Sequence, residues 1–186
     1  MKYIFLGAIG FLFILLFDIY TLKSEGLKRK VLGVLGIALI AYSAVMAEAA
    51  SEKILIPGVL KAMAWMLFAA AAFLLVYSLF LELPFTKTYA GAKYSSDLVD
   101  TGTYALCRHP GVLWFGLMFL FYFLATGAVL IIPAGLVWTA IDVVHVYIED
   151  RLFFPKMFSG YKEYSKSTPM LIPNRKSIRR CINTLF

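Results

Sequence analysis

The sequence predicts an all-α, polytopic membrane protein with about five transmembrane helices and a cytoplasmic C-terminal segment. Of its 186 residues, 61% are hydrophobic, which is more than a soluble domain carries. Several apolar runs approach the roughly 20 residues that a helix needs to cross a bilayer. A bilayer core admits only helices and closed barrels, and these runs lack the alternating polarity of barrel strands. We therefore expect a single helical membrane domain over residues 1–186.

The apolar runs define the predicted spans. The first run follows Lys2 and could be a signal peptide, but no small-residue cleavage site follows it, which favours a true span. Gly33 and Gly36 allow close helix contact in the second span, and Pro110 stands where a first helical turn tolerates proline. Gly127 allows a tight reversal before the last span. The predicted spans are residues 3–20, 31–47, 59–81, 111–125 and 128–148.

The loops and the tail differ in length and charge. The longest predicted loop is 82–108, and the polar tail begins at Glu149. The prolines Pro155, Pro169 and Pro173 predict one short helix with irregular flanks in this tail. Its basic end suits anionic lipid headgroups.

Orientation follows from the Lys and Arg residues. All of the 18 except Lys2, Lys53 and Lys61 lie in the first loop, the third loop and the tail. With an odd number of spans, these segments share one side of the membrane, which the positive-inside rule makes cytoplasmic. We expect an integral protein of the plasma or inner membrane with its N-terminus outside. The net charge of +7 has this cause, and no nucleic-acid motif accompanies it.

Two polar clusters interrupt the apolar sequence and would both face the cytoplasm. The first runs from Leu98 to Gly111 and contains Arg108-His109-Pro110. The second is Glu149-Asp150-Arg151, at the end of the last span. His145 and Glu149 share one face of that span with Asp142, and ionisable residues within a span commonly serve function. Their simplest structural role is hydrogen bonding to neighbouring helices.

The cysteine and histidine spacings exclude some chemistry. Cys107 and Cys181 are far apart in predicted cytoplasmic segments, so a disulfide is not expected. Two cysteines and two widely spaced histidines do not form a zinc pattern, and we predict no metal site. Arg108 beside Cys107 could lower its pKa, but no catalytic pattern surrounds this thiol.

From Leu98 to Pro173 the sequence resembles the integral-membrane methyltransferases typified by isoprenylcysteine carboxyl methyltransferase, with phospholipid N-methyltransferases as relatives. The resemblance rests on a Leu-Val pair, a Gly-x-Tyr turn, Arg-His-Pro, an acidic pair closing a span, paired tyrosines and a Pro-containing end. The matching residues are Leu98-Val99, Gly102-Thr103-Tyr104, Arg108-His109-Pro110, Glu149-Asp150, Tyr161, Tyr164, Pro169 and Pro173.

The resemblance implies S-adenosylmethionine as cofactor and a lipid-like or prenylated small acceptor within the membrane. By their positions, we assign catalytic roles to Arg108, which would fix the loop and neutralise local carboxylates, to Glu149, which would orient the cofactor, and to His145, which would face the acceptor. The implied cofactor-binding residues are Leu98, Val99, Tyr104, His109, Pro110, Gly111, Val112 and Glu149. The family often has Tyr at the position of Val112, and its prenylcysteine enzymes have Arg at the position of His145.

The residues themselves leave the acceptor open. No Gly-rich nucleotide-binding turn is present, whereas aromatic faces and carboxylates suit a sulfonium cation. An acceptor carboxylate is already ionised at neutral pH and needs no base. A lipid amine must lose a proton, for which His145, His109 or Glu149 is the candidate base. A small thiol as acceptor, or a non-catalytic scaffold of the same fold, are the alternatives, and the sequence does not indicate an oligomeric state.

Overall fold

A computed structural model describes residues 1–23, 27–83 and 98–185. Within these ranges the chain is helical apart from turns, extended segments and an isolated bridge between Lys53 and Ala128. Four of the described helices are long and apolar enough to cross a membrane: Lys2–Thr21, Leu27–Ala49, Gly58–Glu82 and Ile131–Met157. Pro110–Thr126 is a shorter apolar helix. The prediction of an all-α integral membrane protein is confirmed at this level.

Most helix boundaries extend the predicted spans by a few residues, because the polar flanks continue the backbone hydrogen bonding. The longer α-helices are α1 (Lys2–Lys23), α2 (Leu27–Ala49), α3 (Gly58–Val76), α5 (Pro110–Thr126), α6 (Ile131–Ile148) and α9 (Arg175–Leu185). The shorter ones are α4 (Gly102–Leu106), α7 (Phe154–Met157) and α8 (Tyr161–Ser167). A first π-helix, Tyr77–Glu82, continues α3, and a second, Glu149–Phe153, continues α6.

The described chain divides into two compact units. The first unit comprises Met1–Ala71 and Phe115–His145, and the second comprises Ala72–Trp114 and Val146–Phe186.

In the first unit, glycines bring helices close together. Gly10 in α1 faces Gly36 in α2, and a Cβ atom on Gly36 would lie 2.9 Å from the Gly10 carbonyl oxygen. This confirms the predicted contact role of Gly36. Trp138 of α6 is fully buried, and its indole N–H donates to the Ile4 carbonyl oxygen at 2.9 Å. A larger residue than glycine at Gly7 would meet the Trp138 ring at 2.3 Å, so this packing depends on glycine.

The connection between α5 and α6 pairs with the segment before α3. Gly127 has φ +73°, which confirms the predicted reversal, since glycine adopts this conformation without steric cost. Its carbonyl accepts from the Ile54 N–H at 2.9 Å, and the Val129 N–H donates to the Glu52 carbonyl at 3.0 Å. These bonds satisfy backbone groups in the loops of the first unit.

The second unit holds the tail, which is more helical than predicted. Instead of one short helix, α7, α8 and α9 follow the second π-helix, with Pro155 in the first turn of α7. Gly160, at φ +80°, caps the start of α8, and Pro169 and Pro173 lie in the non-helical stretch between α8 and α9. The prolines therefore mark the ends and starts of successive short helices in the tail rather than limiting the tail to one helix. In the predicted third loop, residues 84–97 lie outside the described residues, as do residues 24–26 of the first loop.

Candidate functional site

Asp150 is the centre of a buried polar cluster in the second unit. Its carboxylate accepts from Arg108, whose Nη1 lies 2.9 Å from Oδ1 and 3.0 Å from Oδ2. His109 Nε2 lies 3.3 Å from Oδ1, and the Tyr161 hydroxyl donates to the same oxygen at 2.5 Å. The side chains of Arg108 and Asp150 are only 12% and 8% exposed. The two polar clusters of the sequence thus meet at one carboxylate.

The local backbone places Asp150 for these contacts. Asp150 is the second residue of the π-helix Glu149–Phe153, which continues directly from α6. A π-helical turn is rare and is found frequently at functional sites. It changes the direction in which the side chains point from the helix. Phe154, at the start of α7, stacks on the His109 ring with centroids 5.6 Å apart. The π-helix therefore brings a carboxylate and an aromatic ring to the Arg108-His109 pair.

The tail holds the Arg108-His109 backbone directly. The N–H of Arg108 donates to the Pro169 carbonyl at 2.9 Å, and that of His109 donates to the Met170 carbonyl at 3.2 Å. The Tyr164 hydroxyl donates to the Tyr104 carbonyl at 2.7 Å. These bonds fix the segment before α5 against the residues that follow α8.

A second polar cluster forms around Ser78, in the first π-helix. The Trp114 indole N–H donates to the Ser78 hydroxyl at 3.0 Å, and the Tyr104 hydroxyl donates to the Ser78 carbonyl at 3.1 Å. The Thr103 hydroxyl lies 3.1 Å from the Ser78 hydroxyl and also bonds to Glu82, whose carboxylate accepts from the Thr103 N–H at 2.8 Å. Both π-helices therefore supply polar groups to the segment that carries Tyr104 and Arg108.

Burial raises the pKa of three tyrosines and of Cys107 in this unit. The pKa of Tyr104 is raised well above its usual value, first by burial and then by nearby charges that include Glu82 and Glu149. Burial also raises the pKa of Tyr161 and Tyr164, and the hydrogen bond to Asp150 adds to the effect at Tyr161. Cys107 is fully buried, and its pKa rises to about 12. Burial is the largest cause, so the lowering that Arg108 beside it could produce is not found, in line with the absence of a catalytic pattern around this thiol.

The sequence-predicted cofactor residues all lie in the second unit. Tyr104, His109, Pro110 and Val112 are buried, whereas Leu98, Val99, Arg108, Gly111 and Glu149 are half-buried. Leu98 packs against the aromatic cluster of Phe158, Tyr161 and Tyr164. Pro110 begins α5, as predicted. These residues share a unit, and their role in cofactor binding remains a prediction.

His145, the predicted acceptor-facing residue, belongs to the first unit. It is buried, and its Nε2 lies 2.6 Å from an oxygen of Asp18 in α1, which is also buried. This partner fits the simple structural role considered for His145, a hydrogen bond to a neighbouring helix. Asp142 lies three residues earlier on α6, so the spacing places it on the same helix face.

Sequence reasoning missed the central position of Asp150 and the role of Ser78. Asp150 was noted only as part of an acidic pair, because its partners are distant in the chain, with Arg108 42 residues away. The position of Ser78 inside an apolar span was a sequence signal for such a role, because buried polar groups need hydrogen-bond partners. The contacts of Thr103 with Glu82 had no comparable signal.

Comparisons with known proteins are sparse. The chain is 34% identical over 92 residues to the cobalt-zinc-cadmium resistance protein CzcN of Cupriavidus metallidurans. That match covers 46% of this chain and 39% of the relative, so the chain spans about two fifths of that protein's length. No family model matches the chain. No solved structure matches it either.

Proposed function

We propose that this protein transfers a methyl group from S-adenosylmethionine to an amphipathic acceptor dissolved in the membrane. The observation that carries the proposal is the meeting of Arg108, His109 and Tyr161 at Asp150. These residues belong to the separate sequence segments on which the methyltransferase resemblance rests. Because these segments meet at one buried carboxylate, they can form a single site, which unrelated loop residues would not do.

The chemistry of the side chains fits the proposed cofactor. A sulfonium cation is attracted by aromatic faces, and His109, Phe154 and Tyr161 form a contiguous aromatic group, with centroids 5.5 Å apart for Phe154 and Tyr161. The pKa of Tyr104 is raised first by burial and then by charges that include Glu82 and Glu149, so both acids act electrostatically on this ring. The Nε of Arg108 is buried without a hydrogen-bond partner among the described residues, so it offers a donor. Tyr104, His109 and Glu149 would hold the cofactor, with Leu98 and Val99 as apolar contacts.

The bound cofactor would supply an electrophilic methyl group, and the protein would supply positioning. Direct displacement requires donor and acceptor atoms to be aligned, and holding them so can contribute most of the rate enhancement. Asp150 neutralises Arg108, so we assign Arg108 to fixing this arrangement rather than to binding an acceptor. We assign Pro110, Gly111 and Val112 to shaping the pocket at the start of α5.

The preferred acceptor is a carboxylate of the isoprenylcysteine type. Such a group is ionised at neutral pH, so transfer to it needs no base. A phospholipid amine or a small thiol is the alternative, with His145, His109 or Glu149 as the candidate base for an amine. We place His145 on the acceptor side, where its bond to Asp18 would set its orientation.

We further propose five spans, with α5 as the short fourth span, and an N-terminus outside the cell. The site and the tail then face the cytoplasm of a plasma or inner membrane. Cysteines introduced at exposed Lys53 and Lys162 test this arrangement in intact cells. A membrane-impermeant maleimide should label Lys53→Cys and not Lys162→Cys, and the reverse pattern would contradict the orientation.

The decisive experiment is calorimetric binding of S-adenosylhomocysteine to the protein in lipid nanodiscs. We expect micromolar affinity, about 8 kcal/mol of binding free energy, that Glu149→Ala and His109→Ala abolish. Glu163→Ala, an exposed acid on α8, is the matched control and should bind normally. Absence of binding by protein that unfolds cooperatively would instead support a non-catalytic scaffold. If binding occurs, labelled methyl transfer to a prenylcysteine, phosphatidylethanolamine and a small thiol identifies the acceptor.

A divalent-cation site is a second candidate function. The name of the relative in C. metallidurans concerns cobalt, zinc and cadmium resistance, and Asp18 with His145 offers the oxygen and nitrogen donors that such ions accept. Titration with Zn²⁺ and Co²⁺ in nanodiscs tests this function, and binding that survives His145→Ala would exclude this site.

A further inference from the structure

The helix α9 has an unusual distribution of polarity. Ser177 and Cys181, four residues apart, form its buried side. The larger apolar residues Ile178 and Ile182 face outward and are 44% and 58% exposed. A helix at a water-exposed surface normally turns its apolar stripe inward, because that burial stabilises the fold. The outward isoleucines therefore indicate that something other than water covers this side.

Basic residues accompany the outward isoleucines. Arg175 and Arg179 occupy the same stripe as Ile178 and Ile182, with spacings of three, four and seven residues. No acidic residue occurs anywhere in residues 174–186. Arg180, by contrast, lies on the other side of α9 and pairs with Asp100 of the same unit. The outward stripe is thus both apolar and positively charged, the combination found in helices that lie in the membrane interface.

Contacts within the second unit place α9 beside the end of a membrane-spanning helix. The Thr184 hydroxyl accepts from the Gly102 N–H at 2.9 Å. The next residue, Thr103, donates its N–H to Glu82 at 2.8 Å, and Glu82 is the last residue of the candidate span Gly58–Glu82. Burial, and then the charge of Glu82, raise the pKa of the Cys181 thiol in α9. The C-terminal end of α9 therefore lies near the depth at which this span leaves the bilayer.

We propose that α9 lies in the membrane interface and binds anionic phospholipid headgroups through Arg175 and Arg179, with Ile178 and Ile182 inserted among the lipid chains. The charge selects the lipid, since positive side chains near a membrane surface attract anionic headgroups. Arg180, Thr184 and the buried Ser177 and Cys181 fix the other side of the helix to the protein. The proposal concerns membrane contact and requires no methyl transfer.

A fluorescent probe on the outward stripe tests this arrangement. Asn183→Cys carries an environment-sensitive dye on the full-length protein in nanodiscs of phosphatidylcholine with increasing phosphatidylglycerol. Wild-type protein treated with the same dye controls for labelling of buried Cys107 and Cys181. We expect blue-shifted emission that spin-labelled lipid quenches, with quenching that rises with the phosphatidylglycerol fraction and falls with salt.

Paired variants separate local from overall charge. Arg175→Gln with Arg179→Gln should weaken the dependence on anionic lipid by roughly five-fold for each arginine removed. Lys162→Gln with Lys166→Gln removes the same charge from exposed positions on α8 and should leave the dependence unchanged. A probe that stays water-exposed in every lipid would overturn the proposal and point to a protein partner on this stripe. Equal quenching with and without phosphatidylglycerol, or equal effects of the two variant pairs, would overturn the headgroup selectivity.

Discussion

Replacement of Asp150 by asparagine should destabilise the second unit strongly while leaving its volume unchanged. The carboxylate is the counter-charge of Arg108, whose side chain is only 12% exposed, and it accepts from Tyr161 at 2.5 Å. The amide removes the negative charge and points N–H donors at groups that are themselves donors. Removing one partner of a buried ion pair costs about 3–5 kcal/mol, because the remaining charge stays desolvated. For a chain of this size, that cost corresponds to a melting temperature lower by roughly 6–20 °C.

Thermal unfolding in nanodiscs, followed by intrinsic fluorescence, measures this loss. Hydrogen exchange should locate it in the amides of Arg108 and His109, whose partners lie in the tail. Glu149→Gln changes the neighbouring half-buried acid while keeping the ion pair of Asp150 with Arg108, so it should cost less than Asp150→Asn. The double variant Asp150→Leu with Arg108→Met removes both charges and should recover much of the stability. If Asp150→Asn melts within 2 °C of Glu149→Gln, the ion pair does not organise this unit.

Three further predictions concern other buried positions. Ser78→Ala removes the acceptor of the half-buried Trp114 indole N–H, while the Thr103 hydroxyl keeps its bond to Glu82, and should cost about 1–3 kcal/mol in chemical denaturation. Ser165→Ala, whose hydroxyl bonds at the surface, is the control and should change stability by less than about 0.5 kcal/mol. Gly10→Leu should lower the melting temperature, because a Cβ atom there lies 2.9 Å from the facing backbone and overpacking costs about 1–3 kcal/mol. Gly58→Ala, with open space around it, is the control, and equal melting temperatures of the two variants would contradict the close helix contact. Cys107 should resist maleimide at pH 8 until the protein unfolds, and rapid labelling of folded protein at pH 8 would refute this. Because its folded pKa of about 12 exceeds the ordinary value of 9.0, the contribution of the buried thiol to stability should be fully present below pH 9 and decline as the pH rises toward 12.

The two candidate functions make different demands on the polar residues. Binding of S-adenosylhomocysteine depends on the cluster around Asp150, in the second unit, whereas cation binding depends on Asp18 and His145, in the first. His145→Ala therefore separates the two kinds of binding, since it should abolish cation binding and leave S-adenosylhomocysteine binding intact. Loss of both kinds of binding in this variant, with an unchanged melting temperature, would mean that the division between the two sites is wrong.

The sequence by itself determined the class of fold. Long apolar runs must become helices in a bilayer, because their backbone polar groups have no other partners there. Local rules were equally reliable where steric demands are strong, as in the helix start at Pro110 and the reversal at Gly127, whose φ is +73°. The tail was harder to predict, since prolines that can end a helix also stand between successive short helices. The pairing of the two polar clusters was predicted from their common side of the membrane and from the family resemblance.

Only the tertiary structure decided which acid organises the site. Glu149 and Asp150 are adjacent and chemically alike, but a π-helical turn directs Asp150 to Arg108, His109 and Tyr161. Such a turn has no clear local signature, because the distant partners that it satisfies are what stabilise it. The raised pKa of Cys107 likewise follows from burial, which depends on the whole surrounding chain and not on the adjacent residue in the sequence.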